Sequence, residues 1–201
     1  MNDKLNAGVD PYLYPSINVL KNKLEIHEAN RLAQAEMAFT ALRAATITLG
    51  PSEVGFPHLC AIHETLFQDV YPWAGKLREM DIHKEDTVFC HFAYIEKEGN
   101  ALMHALEGEK YLADLPHKEF CKKLAHYYTG INLLHPFRDG NGRAQRIFFE
   151  QLIIHAGFEV KWAGIDRERW LDANKKAVSG DEKPLAAIFS QAVSEIDSSN
   201  G

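Results

Sequence analysis

Basic residues are in the minority in this chain: 22 Lys and Arg stand against 28 Asp and Glu, a formal net charge of −6. A protein that tracks phosphates along a duplex usually carries the opposite balance, so no direct nucleic-acid partner is expected. Cysteine is sparse as well. Cys60, Cys90 and Cys121 are an odd set, spaced about thirty residues apart. That spacing fits neither a disulfide framework nor a zinc module, and the thiols read as reduced. Long apolar runs are missing too. No stretch approaches the ~18 apolar residues that a membrane span needs. The opening MNDKLNAGVDPYLYPS lacks the basic-then-apolar order of a secretory signal. No membrane partner is expected, and the chain reads as soluble and cytoplasmic. Internal repeats and low-complexity linkers are likewise absent. With 46% hydrophobic residues in 201, the remaining reading is one domain around one core.

What is present is helical periodicity, and the fold class reads as mainly all-α, with about seven to nine helices. From about Leu24 to Leu49, the residues Leu32, Ala35, Phe39, Leu42 and Leu49 fall at helical steps, and Gly50-Pro51 stops the run. A second helix follows Pro57, with Leu59, Ile62, Leu66 and Val70 on one face. The pattern lapses between Gly75 and Phe92. There Lys76 to Glu79 and Thr87 to Phe89 read as two short strands joined by His83-Lys84-Glu85-Asp86, a hairpin or flap. Helices resume over Tyr94 to Leu112 and over Pro116 to Ile131, with Pro116 in a first turn. Further helices run from Arg143 to a C-cap at Gly157, from Asp166 to about Gly180, and from Pro184 onwards. The final DSSNG is expected to fray.

The stretch His135 to Arg146, HPFRDGNGRAQR, breaks the pattern and carries the chemistry. Pro136 disfavours helix at His135, which places this histidine in a loop. It is the one residue of the stretch able to move a proton near neutral pH. A turn through Gly140 and Gly142 into a helix start points backbone N–H groups at one small volume. The helix dipole favours an anion there, and the missing Cβ atoms let phosphate oxygens approach. Asp139 can hold a divalent cation, since Mg²⁺ takes one or two carboxylates and completes its shell with phosphate and water. The Asn141 amide can donate to a phosphate oxygen. Arg143 and Arg146, three apart, can project from one helix face and bind phosphates bidentately. Phe137 is read as a core anchor; Arg138 as exposed or structural; Gln145 has no assigned role. Taken singly, a histidine before proline, an Asn-Gly turn and a helical arginine pair are ordinary loop and surface features. Their joint order is what points to a polyphosphate.

The stretch resembles the signature of the Fic (filamentation induced by cAMP) family, His-x-Phe-x-Asp/Glu-Gly-Asn-Gly-Arg-x-x-Arg. His135, Phe137, Asp139, Gly140, Asn141, Gly142, Arg143 and Arg146 meet every fixed position. The likeness extends back through LFQDVYPWAGKLRE. It implies a Fic fold with residues 1–56 as a helical extension and 57–179 as the core. The flap would lie at about 76–92, the motif at 135–146, and a C-terminal helix and tail at 180–201.

The implied activity is transfer of AMP from ATP to a Tyr, Thr or Ser hydroxyl of a target protein. By the resemblance, His135 takes the hydroxyl proton, Asp139 holds Mg²⁺, and Gly140, Asn141 and Gly142 form the anion nest. Arg143 would sit on the β-phosphate and Arg146 on the γ-phosphate. The flap, at Ile82, His83, Lys84, Thr87, Val88 and Phe89, would pair with the target as an added strand.

Family members are commonly restrained by a helix whose Glu-Gly-Asn segment puts its glutamate on the last arginine. Here Glu98-Gly99-Asn100 has Tyr94 in place of Ser or Thr and lies between flap and motif, so it reads as coincidence. The chain thus resembles toxin-type members restrained by a separate small antitoxin, and by that analogy a type II topoisomerase subunit is the expected target. Transfer of UMP, phosphocholine or phosphate on the same fold is the alternative. Gly142, where related kinases carry lysine, disfavours kinase chemistry. A nucleotide-gated interaction module is the non-enzymatic alternative, and a metal-dependent nuclease is weaker, since one carboxylate is too few for two metals.

Overall fold

The computed structural model describes residues 10–84 and 87–196. Seven α-helices are found among them: α1 (Ala29–Ala44), α2 (Phe56–Phe67), α3 (Ile95–Gly108), α4 (His117–Leu134), α5 (Asn141–His155), α6 (Arg167–Val178) and α7 (Lys183–Ala192). Two small antiparallel sheets join them, β1 (His83–Lys84) with β2 (Thr87–Val88) and β3 (Phe158–Val160) with β4 (Val193–Glu195). No helix among the described residues is long and apolar enough to cross a membrane.

Helix α4 is the central post. It buries Phe120, Leu124, Tyr127, Tyr128 and Ile131 and packs against α3, α5, α6 and α7. Those burial positions follow the three- and four-residue steps expected from the sequence. Helix α5 lies on α4 and α2, burying Phe148, Phe149 and Leu152. At the other end of the chain, α7 closes the bundle with Leu185 and Phe189, and Phe189 meets Tyr128 and Trp170 edge-on.

Several expected boundaries shift. The first helix is shorter than 24–49, and Leu42 and Leu49 stand exposed while Leu32 and Thr40 are buried. Only one side of α1 meets α2, so its apolar spacing overstates its buried face. Pro116 is the N-cap of α4 rather than a first-turn residue. The helix after the motif begins at Asn141, two residues before Arg143, because Gly140 in the left-handed region (φ 78°) already turns the chain. The first flap strand is His83–Lys84, not Lys76–Glu79. Arg78 is buried and occupied by carbonyl groups, which takes that segment out of any sheet. The β3–β4 pair is unannounced in sequence, since each strand spans three residues and pairs across a long separation. The expected frayed tail, 197–201, lies outside the described residues, as do 1–9.

Candidate active site

Helix α4 ends at His135, whose backbone adopts a left-handed conformation (φ 43°) and whose N–H bonds to the Ile131 carbonyl, 3.1 Å. A non-glycine residue is rarely held there, and the surroundings show what holds it. Arg78 is the clamp. Its guanidinium donates to the carbonyls of His135 (2.8 Å), Leu134 (3.2 Å), Met80 (2.6 Å) and Cys90. Its backbone N–H meets the Pro136 carbonyl at 2.9 Å. Both ends of the flap are thus tied to the end of α4 through one buried cation. On the flap itself, His83 pairs with Val88 and Lys84 with Thr87. Phe89 then lays its ring on the His135 imidazole, with centroids 4.0 Å apart and planes 16° apart.

His135 is consequently held neutral. Burial pushes its pKa down to about 4, and the positive charges of Arg78 and Lys84 act the same way. Its Nδ1 is buried and has no hydrogen-bond partner among the described residues. A neutral imidazole is the form that can accept a proton.

Beyond His135, the loop is braced from inside. Phe137 is fully buried. Both ends of the Asn141 amide are spent on it: Nδ2 donates to the Phe137 carbonyl (2.8 Å) and Oδ1 accepts the Phe137 N–H (2.9 Å). The Asn141 side chain therefore closes the loop and does not reach for a phosphate, because a four-residue turn brings the two groups together. Its backbone is another matter. The N–H groups of Asn141 and Gly142 have no protein acceptor among the described residues and stand at the start of a 15-residue helix. Gly140 has to be glycine, since a Cβ would lie 2.3 Å from Cζ of Phe67. At Gly142 a Cβ would meet nothing closer than Arg146 Nη1, 3.6 Å away. The space beside that glycine is open.

Asp139 is exposed. One of its oxygens accepts the Gly140 N–H at 2.5 Å; the other has no partner among the described residues. No cluster of three or more His, Cys, Asp or Glu suited to a metal is found among them. One free carboxylate oxygen beside an anion nest fits a cation that arrives with phosphate ligands, not one caged by protein alone.

A cavity of about 420 Å³ opens in front of these groups. His135, Gly142, Gln145 and Arg146 line one side, and Lys84, Thr87 and Phe89 of the flap another. Helices α4 and α6 supply the far wall, including Asn132, Trp170, Leu171, Asn174 and Val178. Arg146 has no carboxylate partner among the described residues, and Glu98 contacts Lys97 instead (3.8 Å). Arg143 is absent from the lining. Its guanidinium pairs with Glu36 at 2.6 Å and lies 4.6 Å over the Phe67 ring. Arg138 pairs with Asp10 (2.6 Å), a structural role. Gln145 is buried and donates to the Tyr128 carbonyl (2.7 Å).

These features meet a known pattern, and the Fic/DOC family model matches residues 54–153. The chain is 61% identical over 195 residues to a probable protein adenylyltransferase Fic of Salmonella typhimurium, covering 97% of this chain and 98% of that one. To the Escherichia coli K12 protein of the same description it is 57% identical, with the same coverage. This chain belongs to the Fic/DOC family. Among solved structures it resembles BepC of Bartonella tribocorum with bound AMPPNP (TM-score 0.84, 28% identity, 92% of this chain and 97% of that). The N-terminal Fic domain of a Bartonella quintana effector with bound ADP is equally similar (TM-score 0.84, 29% identity, 93% and 96%).

Three residues of this Fic-fold site were not singled out by the motif: His63, Arg78 and Glu36. His63 stacks on Phe137 (3.8 Å, 17°), accepts the Gly75 N–H at Nδ1 (2.9 Å) and reaches the Asp139 carbonyl with Nε2 (3.0 Å). Its signal was available: it sits between Ile62 and Leu66 on the buried face of α2, where a polar residue needs a reason.

Proposed function

We propose that this chain is a Mg²⁺-dependent protein adenylyltransferase that moves AMP from ATP to a Tyr, Thr or Ser hydroxyl of another protein. The observation that carries the reading is convergence: a neutral His135, Gly142 with its free N–H at the start of α5, and Arg146 line one cavity. The names of the relatives from Salmonella typhimurium and Escherichia coli agree with it.

In this reading the α5 N-terminus and Arg146 bind the phosphate chain, with Arg143 in reach of the middle phosphate. The α6 wall takes the nucleoside. His135 removes the hydroxyl proton as the oxygen bonds to the α-phosphorus. The bond from that phosphorus to its bridging oxygen breaks, and pyrophosphate leaves. Asp139 would hold Mg²⁺, which when bound neutralises phosphate charge. A pKa of about 4 makes His135 a weak base in the free protein. Negative charge on a bound triphosphate raises it towards the working range, so the base strengthens when substrate is present. The flap, a two-stranded ribbon whose outer edges pair with no other strand among the described residues, offers backbone groups to an extended target segment.

Restraint by a separate small antitoxin, with a type II topoisomerase subunit as target, completes the proposal. For the antitoxin the support is that Arg146 meets no glutamate among the described residues; the target rests on family analogy alone. The test is incubation with ATP labelled on the α- or the γ-phosphate, Mg²⁺ and bacterial lysate. Label should enter protein from the α-position only, and His135→Ala should abolish this while ATP binding stays within about threefold. Entry of γ-label, or unchanged transfer by the variant, refutes the assignment.

A further inference from the structure

Glu36 lies outside the segment matched by the family model, on α1, yet it reaches a motif arginine. Its Oε1 is 2.6 Å from Nη2 of Arg143, and its Oε2 accepts the hydroxyl of Tyr71. The Glu36 side chain is only 14% exposed, so the pair is shielded enough to hold a fixed geometry. Tyr71 is itself buried, stacked on Trp73 with centroids 4.4 Å apart. Its phenol is pushed well above the ordinary range by burial and by Glu36, and it remains a donor. The lower face of the guanidinium rests on Phe67, the ring that also abuts Gly140.

Two contacts therefore restrain Arg143: a carboxylate on one edge and an aromatic ring on one face. A planar guanidinium so held cannot rotate about its long side chain, and its remaining N–H groups keep one direction. The entropy cost of ordering a free arginine on binding an anion is removed in advance. A carboxylate that merely neutralised the arginine would need neither the Tyr71 hydroxyl nor the ring.

We propose that Glu36, held by Tyr71, is a positioning residue that pre-orients Arg143 for the phosphate beyond the α-phosphate. The inference rests on the adenylyltransferase reading given above. It makes α1 part of the nucleotide site, not a scaffold for it. Because Arg143 would touch only the distal phosphates, the effect must depend on the number of phosphates in the ligand.

The experiment compares AMP and ADP affinities by titration calorimetry, and ATP kinetics of transfer, for wild type, Glu36→Ala, Glu36→Gln and Tyr71→Phe. Glu36→Ala should weaken ADP about tenfold and leave AMP within about twofold. Glu36→Gln keeps an acceptor for Arg143 and should return to within about threefold of wild type. Tyr71→Phe, which deletes one hydroxyl and no volume of consequence, should give an intermediate loss, and it carries the test if the alanine variant does not fold. Equal weakening of AMP and ADP would show a merely structural role. Tighter ADP binding by Glu36→Ala would show that Glu36 competes with phosphate for Arg143. Either result overturns the proposal. Absence of AMP transfer by wild type would instead refute the enzymatic reading, so the two failures are told apart.

Discussion

Replacing His63 by glutamine should make the stability of this protein less sensitive to acid. The ring is fully buried and must be neutral to do what it does. Nδ1 accepts from Gly75, so Nε2 carries the proton and donates to the Asp139 carbonyl. Burial pushes its pKa down to about 4, helped by Arg143 and outweighing the opposite pull of Asp139. In the unfolded chain the same group titrates at about 6.5. Between those values the unfolded state binds a proton that the folded state refuses, so stability falls as pH drops through 6.5 and the loss is complete near 4. From pH 7 to pH 5 the linkage amounts to about 2 kcal/mol for this one group. Urea unfolding followed by circular dichroism at the two pH values measures it. Wild type should lose about 2 kcal/mol more than His63→Gln over that interval, whatever the variant costs at pH 7. His135, lowered for a similar reason, titrates in both proteins and cancels in the difference. Equal losses would show that His63 is protonated in the folded protein or reachable by water, and the bracing of the Asp139 carbonyl would have to be abandoned.

Arg78→Lys should destabilise by about 3 kcal/mol, because one ammonium cannot reach the four carbonyls that the guanidinium serves. Its kcat should fall more than its KM for ATP rises, as the backbone of His135 loosens; steady-state transfer kinetics decide this. Gly140→Ala should cost about 2–3 kcal/mol in thermal or urea unfolding, from a left-handed backbone and a collision with Phe67. Gly142→Ala should stay within about 1 kcal/mol of wild type, since its Cβ meets only open space and Arg146. It should nonetheless bind ATP about tenfold more weakly by calorimetry, having filled the approach to the nest.

Much of the bundle was legible in the chain because helices announce themselves locally. The stripes of α2 and α4 and the Asp166 cap of α6 are set by neighbours three or four residues away, while α5 is capped by Ala156, one residue before the expected Gly157. The motif was legible for the same reason: its loop, nest and arginines are contiguous. Long-range choices were not. The first flap strand was misplaced because Arg78, at a position that reads as strand, satisfies carbonyls from α4 and from the far end of the flap. Asn141 was read as a phosphate donor because its own loop takes its amide only once Phe137 is buried beneath it.

By itself the sequence determined a helical domain with an imidazole, an aspartate, a glycine turn and two arginines in fixed order. Tertiary structure alone decided what each of them faces. It put Arg146 into the cavity and Arg143 against Glu36, although both leave the same helix three residues apart. The physical reason is that a charged side chain's direction depends on which distant element supplies its partner. That pairing follows from how α1 and α2 pack around the loop, and no spacing within the motif encodes it.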